Sequence, residues 1–441
     1  MTTQPSSGQA NMGWFTEDRF GMFIHFGAYS AASFDPWLRS IKKLSIEEYQ
    51  PYVDAFLPRP GSMDAWAEKA AEAGMRYAVL TARHHDGFCL FDSKLSDYST
   101  MHTECGRDLV AEFVTAFRKR GIKIGLYYSL IDWHHPDYPH FGDAHHPMRD
   151  NPDYRDHKPN LPRYLEFMHG QVRELFSNYG DIDIAWFDFS YGEMSGEGWR
   201  AADLVRMVRD LQPGVIINNR LETSGGGLGS IVTPQRTDFS GDFVSPEQLV
   251  PAAGIRDFAG KLVSWESNLT INNNWGYNSE DNFWKAPATI IRKLVECVSK
   301  GGNMLLGAGP DAQGNLPAEA ISVLSAIGAW MRVNGESIYG CGVADLERPE
   351  WGYYTQRGDT LYAHVLHQPI GPMALTGGLR KTDIGQVTRL ADGHRAEISK
   401  DWITDAYPDL PFLSMGSVGH HTYPLFDPVD TVYKIGVKGA Q

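Results

Sequence analysis

A carboxylate between two large aromatic residues is the first feature of this sequence that suggests chemistry. Asp188 ends an apolar run, 182–187, and has Phe187 and Phe189 as its neighbours. A carboxylate is rarely placed among apolar residues without a partner, because burying its charge is costly unless another group compensates it. The structural alternative is an Asp that caps the next helix or turns the chain. Asp188 is therefore a candidate reactive group whose partners must come from elsewhere in the sequence.

A second carboxyl group is needed for acid/base-assisted displacement at a sugar carbon, since glycosidases pair an ionised carboxylate with a protonated acid. Two candidates lie downstream, Glu247 in the run 241–248 and Glu266 in the run 264–268. Glu247 lies on a predicted long loop that can reach over a cavity. Glu266 lies at the predicted end of a strand, where it can instead hold neighbouring groups by hydrogen bonding. Spacing alone does not choose between them.

The elements that must position these carboxyl groups alternate through the first three-quarters of the chain. Apolar runs typical of strands occupy residues 22–25, 77–81, 123–128, 182–188, 215–219, 262–266 and 303–307. Amphipathic stretches long enough for crossover helices lie at 63–74, 109–120, 161–179, 200–211 and 286–300. The alternation predicts an α/β fold with parallel β/α units, and without a Gly-x-Gly-x-x-Gly after the first strand it favours a (β/α)8-like, TIM-type barrel over an open doubly wound sheet. Because seven strands are visible where eight are usual, we expect an irregular barrel.

Polar residues of unusual kind stand at the ends of six predicted strands. In a barrel the C-terminal strand ends surround one mouth, so residues remote in sequence converge on one pocket. A single His or Asn at a strand end is more often structural, but six strands with this feature favour a functional site. The residues concerned are His25, His84, His85, Tyr127, Tyr128, Asp188, Asn219, Arg220 and Glu266.

The last quarter of the chain has a different pattern. Short alternating segments at 352–356, 360–366, 386–389 and 431–436 are separated by Gly, Pro and Asp turns, which predicts a small β-sandwich. We place the domain boundary near residue 340, with a barrel domain at 1–340 and a C-terminal β-sandwich domain at 341–441.

Composition narrows the choice of ligand. The net charge of -14 over 441 residues argues against nucleic acid or an anionic membrane as partner, because no basic stripe offers counterion release. An aromatic content of 12%, with 12 Trp and 20 Tyr, fits a protein that stacks rings on the apolar faces of sugars. The first residues lack the pattern of a signal peptide, so we expect a cytoplasmic protein. The four cysteines are scattered and predict neither a disulfide framework nor a zinc knuckle.

Three histidine pairs, at 84–85, 134–135 and 145–146, raise the question of a metal. Adjacent residues on a strand point to opposite faces, so a His-His pair does not readily give two ligands to one ion. Neutral imidazoles serve equally well as donors and acceptors for sugar hydroxyls. We therefore predict no metal and no cofactor, and we expect the last two pairs to lie in a solvated loop, 132–162.

A series of motifs, in order, resembles the α-L-fucosidases of glycoside hydrolase family 29. The motifs are at 20–27, 81–88, 127–133, 186–188, 275–277, 299–306 and 309–311. The resemblance implies an irregular barrel followed by a β-sandwich, a retaining exo-α-L-fucosidase that acts on terminal fucose of glycans, and no metal. It leaves the preferred linkage and the oligomeric state open.

The resemblance also implies roles for single residues. Asp188 would be the nucleophile that forms a covalent fucosyl-enzyme, and Glu247 would be the general acid/base, with Glu266 as the second choice. Arg220 matches an Arg that lies near the nucleophile in relatives. The sugar hydroxyls would be bound by His25, His84, His85 and Tyr128, and the apolar edge of the sugar would pack on Trp37 and Trp275.

Two departures from the family pattern leave alternatives open. Pro36 stands where relatives often have Glu before Trp, so one hydroxyl contact is in doubt; either Asp35 substitutes for it or the site also admits α-L-galactose. Relatives carry Asn-Ile at the positions of Gly307 and Ala308. Two other functions are considered, a catalytically silent carbohydrate-binding protein and a metal-dependent hydrolase that uses the histidine pairs.

Overall fold

The computed structural model describes residues 10–416 and 423–437, and within them the predicted parallel strands form one sheet. Its strand order is β5-β4-β3-β2-β1-β7-β6, and all neighbours run parallel. The strands are β1 Phe20–Ile24, β2 Tyr77–Arg83, β3 Lys123–Ser129, β4 Ile184–Asp188, β5 Ile216–Ile217, β6 Glu266–Thr270 and β7 Asn303–Ala308. The sheet is a seven-stranded half-barrel, so the prediction of parallel β/α units is confirmed.

Helices connect these strands at the five predicted places. The described residues form α1 Met12–Asp18, α2 Leu38–Ile41, α3 Ile46–Ala55, α4 Ser62–Glu72, α5 Leu109–Arg118, α6 Leu161–Asn178, α7 Ala201–Leu211, α8 Pro287–Ser299 and α9 Ala318–Asn334. Of these, α4 to α8 lie at the predicted places. Their starts follow local chemistry: Asp108 accepts the Ala111 N–H at 2.8 Å to cap α5, and Asn160 accepts the Arg163 N–H at 3.2 Å to cap α6. No helix in the described ranges is long and apolar enough to cross a membrane.

The sixth strand differs from its prediction. The apolar run 262–266 was predicted as the strand, but β6 spans Glu266–Thr270 and pairs with β7 from Glu266 opposite Asn303. Its sequence, Glu-Ser-Asn-Leu-Thr, is polar, so apolar periodicity gives it no strand signal. Glu266 therefore begins the strand, and the end that reaches the mouth of the sheet is formed by the residues after it.

The two edges of the half-barrel are both hydrogen-bonded to one segment, 242–248. The Asp242 N–H donates to the Ile217 carbonyl of β5 at 2.7 Å. On the other side the Glu266 N–H donates to the Val244 carbonyl at 2.8 Å, and the Gln248 N–H donates to the Asn268 carbonyl of β6 at 3.0 Å. These are isolated bridges between short stretches of backbone, so the segment carrying Glu247 is held from both sides.

The C-terminal region is antiparallel, as predicted. A six-stranded sheet has the order β13-β12-β15-β10-β9-β8, and β11 pairs with β14 in a second, two-stranded sheet. The strands are β8 Gly342–Val343, β9 Gly352–Arg357, β10 Thr360–Val365, β11 Met373–Ala374, β12 Ile384–Arg389, β13 Arg395–Ala396, β14 Phe412–Leu413 and β15 Thr431–Val437. Both sheets contribute to one buried cluster, while Tyr353 and Tyr362 pack into the large core of the barrel region. The division at residue 340 stays a prediction.

Asp242 ties the segment 242–248 to the edge of the sheet, which generates a prediction about stability. One terminal nitrogen of Arg209 of α7 donates to both carboxylate oxygens, at 2.9 and 3.0 Å, and the Ile217 N–H donates to one of them at 2.8 Å. Asp242→Asn removes one acceptor from this half-buried network. We expect the free energy of unfolding in urea to fall by about 1–3 kcal/mol.

The matched control is Asp210→Asn, because Asp210 is exposed on the same helix. Its free energy of unfolding should change by less than about 0.5 kcal/mol. Equal effects of the two variants would contradict the role given to Asp242.

Candidate active site

A cavity opens at the C-terminal ends of the parallel strands. Six of the binding and catalytic residues predicted from the sequence lie in the wall of this cavity. Glu247, one of the two candidate acids, lies there as well. The wall is formed by Phe23, His25, Trp37, His84, His85, Tyr127, Trp186, Asp188, Phe189, Glu247, Asn268 and Trp275.

Asp188 is the last residue of β4 and lies deep in this cavity. One of its oxygens accepts a hydrogen bond from the Tyr127 hydroxyl at 2.9 Å, and the other accepts one from the Arg220 guanidinium at 3.1 Å. The carboxyl group is 13% exposed. Burial raises the pKa of Asp188 to about 6, and Arg220 limits the rise by favouring the ionised form. The carboxylate is thus accessible from one side and ionised at neutral pH.

Arg220 joins Asp188 to Glu247. It follows β5 in a short turn, is 1% exposed, and lies with its charge 5.1 Å over the ring of Trp186. Its second terminal nitrogen donates to Glu247 at 3.1 Å and to the Ser245 carbonyl at 3.0 Å, while Nε donates to the Ser245 hydroxyl at 2.9 Å. One guanidinium therefore holds two carboxyl groups at the same cavity and fixes the segment that carries the second.

Glu247 differs from Asp188 in its exposure to solvent. Its side chain is 36% exposed, and its residue bridges to Asn268 of β6. A carboxyl group at the rim can reach both a leaving group and water, whereas a buried one can reach neither. The predicted long loop around Glu247 is the doubly bonded segment 242–248.

Glu266, the alternative acid, lies outside the cavity wall. It is fully buried, and its two oxygens accept hydrogen bonds from the Tyr77 hydroxyl at 2.5 Å and from the Trp186 indole N–H at 3.3 Å. Burial raises the pKa of Glu266 to about 7. This geometry matches the alternative in which Glu266 holds neighbouring groups by hydrogen bonding, because its place at the start of β6 puts it below the mouth.

The histidines of the cavity are neutral. Burial lowers the pKa of His25 to about 3 and holds the pKa values of His84 and His85 well below the usual range. The Ser129 hydroxyl donates to the Ile131 carbonyl at 2.7 Å, so at 2.8 Å it accepts from Nδ1 of His85. That bond assigns the proton of His85 to Nδ1 and leaves Nε2, which lies 3.9 Å from Asp188, as an acceptor.

Tyr128 was predicted to bind sugar hydroxyls, but it lies on the outer face of the sheet. Its hydroxyl donates to Gln171 of α6 at 2.8 Å, and the buried guanidinium of Arg83 lies 4.3 Å from its ring. Successive residues of a strand alternate between the faces, so Tyr127 is the one that faces the cavity. The prediction that Tyr128 lies at the site is therefore wrong, and Tyr127 lines the cavity instead.

The two predicted tryptophans flank the cavity. Trp275 stacks on His25, with ring centroids 5.1 Å apart, and Trp37 packs edge-on against His85 at 5.0 Å. Asp35 is not among the residues of the cavity wall, and one of its carboxylate oxygens accepts the Trp37 N–H at 2.9 Å. Pro36 is buried, and its ring lies close to Gly276 beside Trp275. The proline thus shapes the wall without offering a polar contact.

The histidine pairs do not gather into a metal site within the described residues, where no group of three or more His, Cys, Asp and Glu could hold an ion. His84 and His85 both line the cavity because they follow β2 instead of lying on it. The loop that carries the other pairs is less solvated than predicted. His146 is buried, and His145 packs against Trp37 and Phe189 at the rim.

The model of the alpha-L-fucosidase family matches residues 1–336 of this chain. The chain belongs to the alpha-L-fucosidase family. It is a glycoside hydrolase, and the family and activity predicted from the motif series are confirmed.

Solved fucosidases share the whole architecture. Alpha-L-fucosidase isoenzyme 1 from Paenibacillus thiaminolyticus is 49% identical, covers 97% of this chain and 99% of its own, and has a TM-score of 0.93. A fucosidase of family 29 from Bacteroides thetaiotaomicron, 27% identical with a TM-score of 0.81 over 99% of this chain and 98% of its own, was trapped as a covalent intermediate with 2-fluoro-fucosyl fluoride. Bovine tissue alpha-L-fucosidase is 30% identical over 81% of this chain and 75% of its own.

Asn268 is the cavity residue of this fucosidase that the sequence analysis missed. It is 1% exposed, and its side-chain oxygen has no hydrogen-bond partner within the described residues. Asn268 lies two positions after Glu266 on the same face of β6, so a correct strand boundary would have revealed it. Phe23 and Trp186 belong to motifs already recognised, and Phe189 was noted as a neighbour of Asp188, but none of the three was singled out as a cavity residue.

The buried hydrogen bonds of Glu266 generate a prediction about stability. Both partners donate to the carboxylate, and in Glu266→Gln the single amide oxygen can accept only the Trp186 N–H. The amide N–H then donates to the Tyr77 hydroxyl, whose own proton is left with the Met304 carbonyl at 3.5 Å, so a charge-assisted hydrogen bond is lost. We expect the free energy of unfolding at pH 8 to fall by about 1–3 kcal/mol. In a double-mutant cycle, Tyr77→Phe should lower the free energy of unfolding less in Glu266→Gln than in the unaltered protein, because the charge-assisted hydrogen bond between the two groups is already lost. Additive effects of the two substitutions would contradict this explanation.

Proposed function

We propose that this α-L-fucosidase releases terminal α-L-fucose with retention of configuration, with Asp188 as nucleophile and Glu247 as acid/base. The observation that carries the proposal is the single buried guanidinium of Arg220, which holds these two carboxyl groups at one cavity. Retaining glycosidases need two close carboxyl groups, one as nucleophile and one as acid/base. The covalent intermediate of the Bacteroides thetaiotaomicron relative supports the same route.

In the first step the ionised carboxylate of Asp188 attacks the anomeric carbon. The bond to the glycosidic oxygen breaks, and Glu247 gives its proton to that oxygen as the leaving group departs. Arg220 and Tyr127 orient the attacking carboxylate through their hydrogen bonds. The product of this step is a fucosyl ester of Asp188 and a free alcohol.

In the second step a water molecule replaces the leaving group. Glu247, now ionised, takes a proton from the water as its oxygen attacks the anomeric carbon, and the ester bond to Asp188 breaks. Two inversions give net retention. The 36% exposure of Glu247 supports this double task, because the alcohol must leave and the water must enter on its side.

The remaining cavity residues form a binding site for one sugar. Neutral imidazoles of His25, His84 and His85 and the amide of Asn268 offer hydrogen bonds to hydroxyl groups, while Trp37 and Trp275 offer flat apolar surfaces. A cavity closed at its inner end favours the terminal sugar of a fucosylated glycan as substrate. Since Asp35 and Pro36 place no polar group in the wall, we infer a site that tolerates α-L-galactosides.

We also infer that the segment 242–248 takes the place of the eighth strand and completes the barrel. Its backbone bonds to both edge strands support this reading, although each contact is an isolated bridge. For the C-terminal region we infer the predicted β-sandwich, because its two antiparallel sheets contribute to one buried core.

Azide trapping tests the two roles. Asp188→Ala should lower kcat/KM on 4-nitrophenyl α-L-fucoside by about 10⁴-fold or more, and azide should restore turnover with β-L-fucosyl azide as product. In Glu247→Ala, azide should instead attack the fucosyl-enzyme and give the α-L-fucosyl azide. The anomeric configuration of each product is read by proton NMR.

Asp181→Ala is the control, because Asp181 is exposed just before β4, and it should keep the activity of the unaltered enzyme. An active Asp188→Ala enzyme without azide, or the same azide anomer from both variants, would refute the proposal.

The pKa of Asp188 predicts the acidic side of the pH profile. Because the nucleophile must be ionised, kcat/KM should fall as the pH drops through about 6. The Tyr127 hydroxyl stabilises the ionised carboxylate, so Tyr127→Phe should raise this pKa and move the fall to higher pH. Tyr128→Phe is the matched control on the opposite face of β3 and should leave the fall where it is. A shift of equal size in both variants would contradict the assignment.

A further inference from the structure

Glu247 is followed by a residue in a conformation that is unusual outside glycine. Gln248 has φ 51°, in the left-handed region, and is one of five such non-glycine residues in the described ranges. A side chain in this region is strained, and the strain persists where surrounding contacts hold it. The turn after Glu247 must therefore be fixed by interactions that outweigh the local preference of the backbone.

The contacts of Gln248 identify what holds it. Its side-chain Nε2 donates to the hydroxyl of Thr270 at 3.1 Å, and its Oε1 accepts the Thr270 N–H at 3.4 Å. Its own N–H donates to the Asn268 carbonyl at 3.0 Å. Gln248 thus binds the last residues of β6 through its backbone N–H and through both the nitrogen and the oxygen of its side-chain amide.

Thr270 links this turn to the base of the loop that carries Trp275. Its hydroxyl, which is buried, has one proton and donates it to the Asn272 carbonyl at 2.6 Å. It accepts from Gln248 and from the ammonium group of Lys285 at 3.2 Å. Asn272 and Lys285 enclose the loop that carries Trp275. The hydroxyl donates once and accepts twice, so removing it breaks its bonds to Gln248, Asn272 and Lys285 together.

We propose that Gln248 and Thr270 are positioning residues that aim Glu247 at the glycosidic oxygen. The inference rests on the proposed role of Glu247 as acid/base. Arg220 holds the Glu247 carboxyl from inside the cavity, and the Gln248–Thr270 contact fixes the backbone on its far side. A misplaced acid lowers the rate most where the leaving group needs a proton, because a stable leaving anion departs without one.

The test compares two aryl α-L-fucosides that differ in their leaving groups. The substrates are the phenyl glycoside, which needs protonation, and the 2,4-dinitrophenyl glycoside, which does not. Thr270→Val keeps the shape of the side chain without its hydroxyl, and Gln248→Gly removes the amide at a position where glycine is unstrained. We expect each variant to lower kcat/KM about tenfold on the phenyl glycoside and less than about twofold on the dinitrophenyl glycoside.

Two further variants complete the design. Thr270→Ser keeps the hydroxyl and should restore most of the activity on the phenyl glycoside. Thr115→Val makes the same exchange on the exposed face of α5 and should change neither rate. Thermal unfolding of each variant verifies that it is folded, and Gln248→Gly carries the test if Thr270→Val is unstable.

Equal losses on both substrates, or no loss on the phenyl glycoside, would overturn the proposal. Measuring Glu247→Ala on the same two substrates distinguishes a failure of the positioning role from a failure of the proposed function. If that variant retains the phenyl activity, Glu247 is not the acid and the proposed mechanism fails. If it loses that activity selectively while Thr270→Val and Gln248→Gly do not, only the positioning role fails.

Discussion

The contact of Arg220 with two carboxyl groups is the interaction on which the site depends. Asp188 ends a regular strand and Glu247 lies on an irregular segment, and the shared guanidinium brings the two together. Without it, two carboxyl groups would face each other in a poorly solvated cavity. Removing one partner of a buried ion pair typically costs about 3–5 kcal/mol, because the remaining charge is left uncompensated. The bonds from Arg220 to Ser245 add mechanical support, since they fix the backbone two residues before Glu247.

Arg220 is in turn supported by a column of buried groups inside the sheet. Its charge lies over Trp186, the Trp186 indole donates to Glu266, and Glu266 also accepts from Tyr77. The same apolar surroundings raise the pKa of Asp188, and each pKa unit corresponds to about 1.4 kcal/mol. Because the pKa of Asp188 is raised from 3.8 to about 6 on folding, its contribution to stability is lost as the pH rises between these two values and stays lost above them. The enzyme thus gives up stability at neutral pH to keep a poorly solvated nucleophile.

Much of this arrangement could be predicted from the sequence, and the exceptions have physical causes. Apolar periodicity located six of the seven parallel strands because buried strands in a β/α fold are apolar on both faces. It misplaced β6, whose inward residues Glu266 and Asn268 are polar because they line the site or support it. It also could not choose between Tyr127 and Tyr128, since a shift of one residue exchanges the faces of a strand. The sequence supplied Asp188 and two candidate acids, and the family resemblance favoured Glu247 over Glu266. The joint contact of Asp188 and Glu247 with Arg220 depends on the fold of segment 242–248, which has no apolar periodicity.

The positions of the two carboxyl groups suit two different tasks. A nucleophile has to meet one atom of a bound sugar, and the last residue of a strand paired on both sides moves little. An acid/base has to meet a departing alcohol and then a water molecule, and this requires access that a strand inside the sheet does not provide. Glu247 lies on a segment with isolated bridges, which gives that access. This segment lacks a continuous ladder of backbone hydrogen bonds like the one that fixes Asp188. Side-chain contacts must then replace ladder hydrogen bonds, and the bonds of Arg220 to Ser245 and of Gln248 to Thr270 lie on either side of Glu247, where such replacement is needed.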